Sequence, residues 1–160
     1  MASDRHAPDH PARGLSGASL DAALLAAERH CAAMHEDLKA ASRKVLEQLL
    51  IAGEPVKAYD LMTLIAPGGR PASPPIVYRA LKFLLRVGLA HKIETLNAFV
   101  ACRLGPDAHM AGFLVCERCG AAEEHPLGRT PDFIAAHSKA VTQVVVEANW
   151  LCDSCAAGVR

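Results

Sequence analysis

The sequence predicts an α+β protein with two parts, an N-terminal winged helix-turn-helix domain and a small C-terminal α/β domain. Three observations lead to this prediction. Apolar residues recur at helical spacing between residues 19 and 88 and then give way to two short strand-like stretches. Gly105 and Pro106 interrupt the chain after those stretches. Beyond them, two Cys-x-x-Cys pairs flank a helical stretch and a β-branched stretch.

The first predicted helix follows a leader, residues 1–17, which is rich in proline, glycine, histidine and charge and is expected to be disordered. Ser19 is the predicted N-cap of this helix. Six apolar residues then recur at spacings of three and four, which predicts one buried stripe on a helix of about 18 residues. These residues are Leu20, Leu24, Ala27, Cys31, Met34 and Leu38. Cys31 is interpreted as a small core residue, because no second thiol lies near it in the sequence.

Two further helices are predicted over Ala40–Ala52 and Ala58–Ala66. Gly53 ends the first and Pro67 ends the second, since glycine and proline both interrupt helices. The residues predicted to face the core are Val45, Leu46, Leu49 and Leu50 in the first helix, and Leu61, Leu64 and Ile65 in the second.

The fourth helix is predicted to begin at Pro74, because proline is tolerated in a first helical turn, and to stop at Gly88. One arc of its surface is apolar and consists of Val77, Ala80, Leu81, Leu84 and Leu85. The opposite side carries Arg79, Lys82 and Arg86, with Tyr78 on one flank. Such a cationic face is either an ordinary solvated surface or the face of a recognition helix that enters a DNA major groove.

Two short strands, Leu89–Glu94 and Asn97–Cys102, are predicted to pair as a hairpin after the fourth helix. Three helices followed by a hairpin are typical of a winged helix-turn-helix domain, which we assign to residues 18–103. The hinge is assigned to residues 104–108 and the second domain to residues 109–160. In that domain we predict a strand at Phe113–Val115, a helix from its cap at Thr130 to Ala140, and a strand at Val141–Glu147.

The double cysteine pair, Cys116 with Cys119 and Cys152 with Cys155, is the strongest chemical signal in the sequence. A Cys-x-x-Cys turn aims two thiolates at one point, and two such turns supply the four soft ligands that tetrahedral zinc prefers. Redox dithiols and structural disulfides are the alternatives. The first lacks a surrounding thioredoxin-like pattern, and nothing in the sequence indicates export. Because one core this small rarely folds alone, we expect dimerisation as well as metal.

The charge of the chain is zero in total but unevenly distributed. Residues 38–93 hold nine lysine or arginine residues against three acids, a net +6 that leaves −6 for the remainder. A basic domain beside an acidic one can bind phosphate locally while the whole molecule stays neutral. No apolar run approaches the ~20 residues that span a bilayer. The first residues also lack the apolar core of a signal peptide, so we expect a cytoplasmic protein without a membrane partner.

Four stretches of the sequence resemble the ferric uptake regulator (Fur) superfamily, and specifically its zinc uptake regulator branch. They are Ala58–Met62, Pro74–Cys102, Phe113–Gly120 and Leu151–Cys155. The resemblance spans about residues 20–156. The string HKIETLNAFVAC, residues 91–102, is similar to the zinc branch rather than to the iron or peroxide branches. The histidine-rich string that is common in iron and peroxide sensors is absent before Phe113.

The resemblance implies two zinc ions per monomer. A structural zinc would be held by the four cysteines of the double pair. A regulatory zinc would lie between the two domains, held by His91, Cys102, His109 and Glu124. One cysteine, two histidines and a carboxylate, taken from both sides of the hinge, make a suitable zinc set. The open alternatives are Glu123 in place of Glu124, and His125 or His137 in place of His109.

The resemblance further implies a zinc-responsive transcriptional repressor whose homodimer binds a palindromic double-stranded DNA operator. The candidate DNA contacts are Lys57, Tyr59, Tyr78, Arg79, Lys82 and Arg86. Arg79 is expected at a base edge, and Lys57 and Arg86 at phosphates. The sequence departs from the family pattern at two places near the expected DNA contacts: Ile76 stands where the family usually has threonine, and Leu38–Ser42 replaces its LTPQR string.

A Fur-type regulator of iron or peroxide responses is the alternative function on the same fold. The sequence shows no nucleophile–base constellation, phosphate loop or HExxH motif. We therefore expect neither an enzymatic activity nor a small organic substrate.

Overall fold

The chain forms a helical unit with a hairpin, followed by a small three-stranded unit. The computed structural model describes residues 14–105, 110–127, 132–136 and 144–158. The first unit contains α1 (Gly17–Ala33), α2 (Ala40–Ala52), α3 (Ala58–Leu64), a 3-10 turn at Pro67–Gly69, α4 (Pro74–Arg86), β1 (Ala90–Ile93) and β2 (Ala98–Ala101). The second contains β3 (Met110–Cys116), β4 (Ala122–Leu127), α5 (Asp132–Ala136), β5 (Val146–Trp150) and α6 (Asp153–Ala157). The predicted α+β class is confirmed.

The helical core is built from the apolar faces of α1 to α4. Its least exposed large side chains are Leu24, Val45, Leu49, Leu61, Val77, Leu81 and Leu84. Fully burying one such side chain contributes roughly 1.5–3 kcal/mol, so this cluster holds the four helices together. The predicted bounds of α2 are confirmed, and Gly53 ends it with φ +63°, a left-handed conformation that glycine adopts without strain.

The prediction for α1 was wrong at both ends. The helix begins at Gly17 rather than after Ser19, whose hydroxyl donates to the carbonyl of Ser16 at 2.7 Å. It ends at Ala33, because the chain reverses at His35 with φ +57°. Met34 therefore leaves the predicted stripe and is 44% exposed.

Two leucines predicted to face the core lie at its margin instead. Leu64 is 52% exposed because α3 ends at that residue, and Leu85 is 37% exposed at the edge of the apolar arc of α4. Helical spacing predicts the direction in which a side chain points. Whether a residue at the edge of the apolar face is buried depends on the elements that pack against that helix.

The predicted hairpin is confirmed, and it is covered on both faces. β1 and β2 pair antiparallel, with Ala90 opposite Ala101 and Ile93 opposite Ala98. Phe99 joins the helical core and also pairs with Val56 through two 2.8 Å backbone hydrogen bonds. On the other face, Ile93 and Val100 pack with Phe113 and Val115 of β3. The hairpin is therefore the layer at which the two units meet.

The second unit is a sheet with the order β4-β3-β5, in which β3 is antiparallel to β4 and parallel to β5. The parallel pair agrees with the predicted β–α–β order. Strand β4 was not predicted, because its sequence AEEHPL is polar and contains Pro126, which suits an edge strand.

The other predictions for the second unit need correction in their limits. The last strand is Val146–Trp150 rather than Val141–Glu147, since it is held in register by pairing with β3, where Cys116 faces Trp150. Helix α5 lies inside the predicted helix, whose ends at Thr130 and Ala140 lie outside the described residues. In the part of the chain that the structure describes, no helix is long and apolar enough to cross a membrane.

Candidate metal centres and nucleic-acid interface

The four predicted cysteines converge on one point at the end of the second sheet. The Sγ atoms of Cys116, Cys119, Cys152 and Cys155 all lie within 4.8 Å of one another. Cys119 Sγ and Cys152 Sγ are 3.8 Å apart. Zinc–sulfur bonds of about 2.3 Å place two tetrahedral ligands about 3.8 Å apart, so these thiols fit a zinc ion.

Backbone geometry holds the two cysteine turns in place. Strand β3 delivers Cys116, and its turn closes through the Gly120 N–H to the Cys116 carbonyl at 2.9 Å. Gly120 adopts φ +77°, which favours glycine in so tight a turn. The second pair follows β5, where Cys152 immediately precedes α6 and Cys155 lies within that helix. The parallel β3–β5 pairing therefore brings the two turns together.

The electrostatics around Cys116 favour a thiolate. Burial raises the pKa of this thiol, but backbone N–H groups of Cys152, Cys119 and Arg118 outweigh it and lower the pKa to about 6. A thiolate is the form in which cysteine ligates zinc.

A second cluster joins the two units. It consists of His91 from β1, Cys102 just after β2, and Glu124 from β4, whose potential ligand atoms all lie within 4.8 Å of one another. His91 Nε2 lies 2.9 Å from Glu124 Oε1, and Cys102 Sγ lies 3.6 Å from the same oxygen. The donor set of imidazole, thiol and carboxylate suits zinc.

Glu124 is the centre of this cluster. Its side chain is 3% exposed, and its Oε2 accepts the Arg103 backbone N–H at 2.6 Å. On β4 it faces Phe113, whose ring also packs against His91 with 5.3 Å between ring centroids. Side chains alternate along a strand, so Glu124 and Glu123 point to opposite faces of the sheet, and the structure brings Glu124 to the cluster.

Burial, together with the nearby charge of Glu124, raises the pKa of Cys102 to about 12. The thiol donates to the Gly105 carbonyl at 3.3 Å.

Of the histidines proposed as ligands, His109 and its alternative His137 lie outside the described residues. His125 is exposed and lies 3.7 Å from the Glu123 carboxylate.

A groove of about 440 Å³ lies between α3, α4 and the hairpin. Four of the six predicted DNA contacts line it, namely Lys57, Tyr59, Tyr78 and Lys82. Lys92 and Asn97 of the hairpin also line it and were not among the predicted contacts. Lys92 belongs to the basic segment of residues 38–93, and its charge is the sequence signal that could have marked it as a candidate DNA contact.

The remaining two predicted contacts differ in their surroundings. Arg79 is exposed on α4. Arg86, in the last turn of α4, is ion-paired with Glu36 and stacks on Phe83 at 5.4 Å from the ring centroid. A phosphate contact by Arg86 would therefore compete with Glu36.

The chain is similar to zinc uptake regulation proteins. It is 35% identical over 137 residues to the zinc uptake regulation protein of Escherichia coli strain K12, covering 82% of this chain and 80% of the relative. A solved structure of a zinc uptake regulator complexed with zinc and DNA is 31% identical, with a TM-score of 0.74, and covers 89% of this chain and 98% of that chain. The crystal structure of holo XcZur is 35% identical, with a TM-score of 0.71, and the match covers 86% of this chain and 99% of that chain. No protein-family model matches the chain.

Proposed function

The chain belongs to the zinc uptake regulator branch of the ferric uptake regulator superfamily, and from this premise we propose how it senses zinc and binds DNA. It is a zinc-responsive DNA-binding transcriptional repressor of zinc uptake and homeostasis genes, and not an enzyme. In our proposal it acts in the cytoplasm as a homodimer on a palindromic operator, with one structural and one regulatory zinc ion per monomer.

The observation that carries this proposal is the position of the His91, Cys102 and Glu124 cluster. His91 lies on β1 and Cys102 directly follows β2, whereas Glu124 lies on β4 of the second sheet. A zinc ion bound here would crosslink the two units. We propose His109 as the fourth ligand, because it follows the hinge in the sequence and completes a four-ligand set.

The short link between α4 and β1 couples the position of the metal cluster to the orientation of α4. β1 begins four residues after α4 ends, and the Leu89 N–H bonds back to the Leu84 carbonyl at 2.9 Å. The orientation of the hairpin therefore sets that of α4. In a homodimer, fixing both hairpins on the second domains fixes the separation of the two α4 helices, which must match successive major grooves. Such coupling typically amounts to ~1–3 kcal/mol per site.

The homodimer is proposed to form through the second unit. Strand β5 is an edge of the described sheet. The exposed apolar side chains at and beside it are Val144, Val145, Val146 and Leu151. An unpaired strand edge with exposed apolar side chains at both of its ends is a surface that a partner chain can cover.

The groove of the first unit is the proposed DNA-binding face. Lys57, Tyr59, Tyr78, Arg79 and Lys82 remain the proposed contacts. Lys92 and Asn97 are added from the lining of the groove. Arg86 remains a candidate phosphate contact in competition with Glu36. Arginine on the exposed face of a recognition helix can bond guanine at two atoms, which makes Arg79 the proposed base contact.

The test is a titration of operator binding against free zinc with Cys102→Ser. The operator is a duplex selected by the zinc-loaded wild-type dimer from a random-sequence library. We expect Cys102→Ser to need much more zinc or to lose the zinc response, because a buried thiolate ligand is replaced by a hydroxyl. Cys31→Ala is the control, since Cys31 is buried among apolar residues of the helical core. Wild-type zinc dependence in Cys102→Ser would contradict the assignment of Cys102 to the regulatory site. Stronger operator binding by the wild type with iron than with zinc would contradict zinc as the regulatory metal.

A further inference from the structure

The turn of the hairpin is held by one carboxylate from the second unit. Glu147 on β5 accepts the backbone N–H of Glu94 at 2.6 Å with Oε1 and that of Thr95 at 2.9 Å with Oε2. The Thr95 hydroxyl donates to the same Oε2. Three donors from one turn of the first unit thus meet a single side chain of the second.

This contact lies at the opposite end of the hairpin from the candidate regulatory cluster. His91 lies near the start of β1 and Cys102 just past the end of β2, whereas Glu94 and Thr95 form the connecting turn. The apolar packing of Ile93 and Val100 on β3 lies between the two ends. A hairpin attached at one end can still pivot about that point, whereas attachment at both ends fixes its direction.

We propose that Glu147 is a zinc-independent latch that holds the hairpin turn on the second domain and so pre-orders the regulatory zinc site. This inference rests on the proposed function. It gives Glu147 the role of a positioning residue, which is not a member of the metal cluster and does not line the proposed DNA-binding groove.

The chemistry of the contact suits a latch. Hydrogen bonds to an ionised carboxylate are roughly twice as strong as those between neutral groups. Burial raises the pKa of Glu147, but the bonds from Thr95 and Glu94, helped by the charge of Lys92, outweigh it and lower the pKa. The carboxylate is therefore ionised at neutral pH and needs no metal to accept these bonds.

The latch would raise the fraction of molecules in which the hairpin is already held on the second unit, and this fraction affects the apparent affinity for zinc. A ligand that needs one conformation binds with an apparent affinity reduced by the fraction of molecules in that conformation. Without the latch fewer chains hold His91 and Cys102 against Glu124 before zinc arrives. More zinc is then needed, while the saturated complex stays the same.

The experiment compares the wild-type dimer with Glu147→Gln and with Thr95→Ala. Amide hydrogen exchange of residues 94 and 95 is measured by NMR in dimers that hold the structural zinc alone. Operator binding is then titrated with zinc. We expect both amides to be protected in the wild type and to lose protection in Glu147→Gln. The zinc concentration for half-maximal operator binding should rise about five- to tenfold, in the lower range of allosteric coupling. Operator affinity at saturating zinc should return to the wild-type value.

Thr95→Ala keeps both backbone donors and loses the hydroxyl alone. The zinc concentration for half-maximal operator binding should therefore rise less in Thr95→Ala than in Glu147→Gln. Asp21→Asn is the charge-matched control on the exposed side of α1, and it should move neither readout. The latch is overturned if the wild-type amides are unprotected without regulatory zinc, or if Glu147→Gln leaves the zinc midpoint unchanged. Loss of the structural zinc or of the dimer in Glu147→Gln would also overturn it, by assigning Glu147 to the folding of β5.

Failure of the latch can be told apart from failure of the proposed function. The exchange measurement uses dimers without regulatory zinc and involves no operator. If Cys102→Ser loses the zinc response while Glu147→Gln keeps the wild-type midpoint, the latch alone is wrong. If Cys102→Ser keeps the wild-type response, the regulatory site itself is wrong.

Discussion

At the scale of single residues, the two metal clusters differ in how their ligands are supplied. The cysteine cluster draws on two short turns with fixed spacing, and backbone N–H groups around Cys116 lower the pKa of its thiol to about 6. Cys102, beside the Glu124 carboxylate, has its pKa raised by burial to about 12. Burial also raises the pKa of Cys119 and raises that of Cys155 to about 12, so thiols of both clusters would lose protons on binding zinc. The two clusters differ instead in where their ligands come from, because His91, Cys102 and Glu124 are drawn from both units of the chain.

A residue-scale prediction concerns Arg79 and Lys82 on the exposed face of α4. Arg79→Ala should weaken binding to the selected operator by about 1–3 kcal/mol and relax the preference at one base pair, because its guanidinium would read a base edge. Lys82→Ala should weaken all duplexes alike and lower the salt dependence by about one ion, as a phosphate contact would. Fluorescence anisotropy on single-base operator variants at several salt concentrations measures both. Equal loss on every duplex in Arg79→Ala would rule out base reading by Arg79.

At the scale of elements, α4 serves two surfaces at once. Its apolar face packs on the other helices through Val77, Ala80, Leu81 and Leu84, whereas Tyr78, Arg79 and Lys82 remain exposed. The hairpin that follows is also used on both faces, toward the helical core and toward β3. The position of the proposed DNA-binding face therefore depends on packing by apolar residues that are not among the proposed DNA contacts.

An element-scale prediction follows from two adjacent leucines of α4. Leu84→Ala should lower the free energy of unfolding by about 2–5 kcal/mol, because it leaves a cavity in a fully buried site. Leu85→Ala is the matched control and should cost clearly less, since Leu85 is 37% exposed. Urea unfolding followed by circular dichroism gives both values. Similar losses in the two variants would show that the exposed edge of α4 is covered in the assembled protein.

At the scale of the whole molecule, the residues of the second unit that the structure describes form little core apart from the hairpin. Its packed residues are a few side chains of β3 that share a cluster with the hairpin, and the cysteine cluster with Trp150 and Ala121. Small cores generally need a metal, a disulfide or a partner chain for stability. The structural zinc and the homodimer should therefore be linked.

The whole-molecule prediction is that Cys152→Ser unfolds or monomerises the second domain, because a structural zinc site contributes folding free energy directly. Analytical ultracentrifugation and zinc content per monomer measure the outcome. Cys102→Ser is the control and should remain a dimer with its structural zinc. A well-folded Cys152→Ser dimer that has merely lost one zinc would show that the cluster is dispensable for assembly.

Local sequence patterns were enough to predict the α+β class, the bounds of α2, the hairpin and the four-cysteine set. These features depend on local physics: helical periodicity, the left-handed turn at Gly53, and thiols two residues apart. The resemblance to the family added His91, Cys102 and Glu124, which no spacing rule connects. Tertiary structure decided what depends on partners distant in sequence. Strand β4 is polar and exists because β3 pairs with it, and Met34 is exposed because the chain reverses at His35. Glu147 reaches the hairpin turn because β5 runs parallel beside β3 and the hairpin packs on that sheet, which no local pattern encodes.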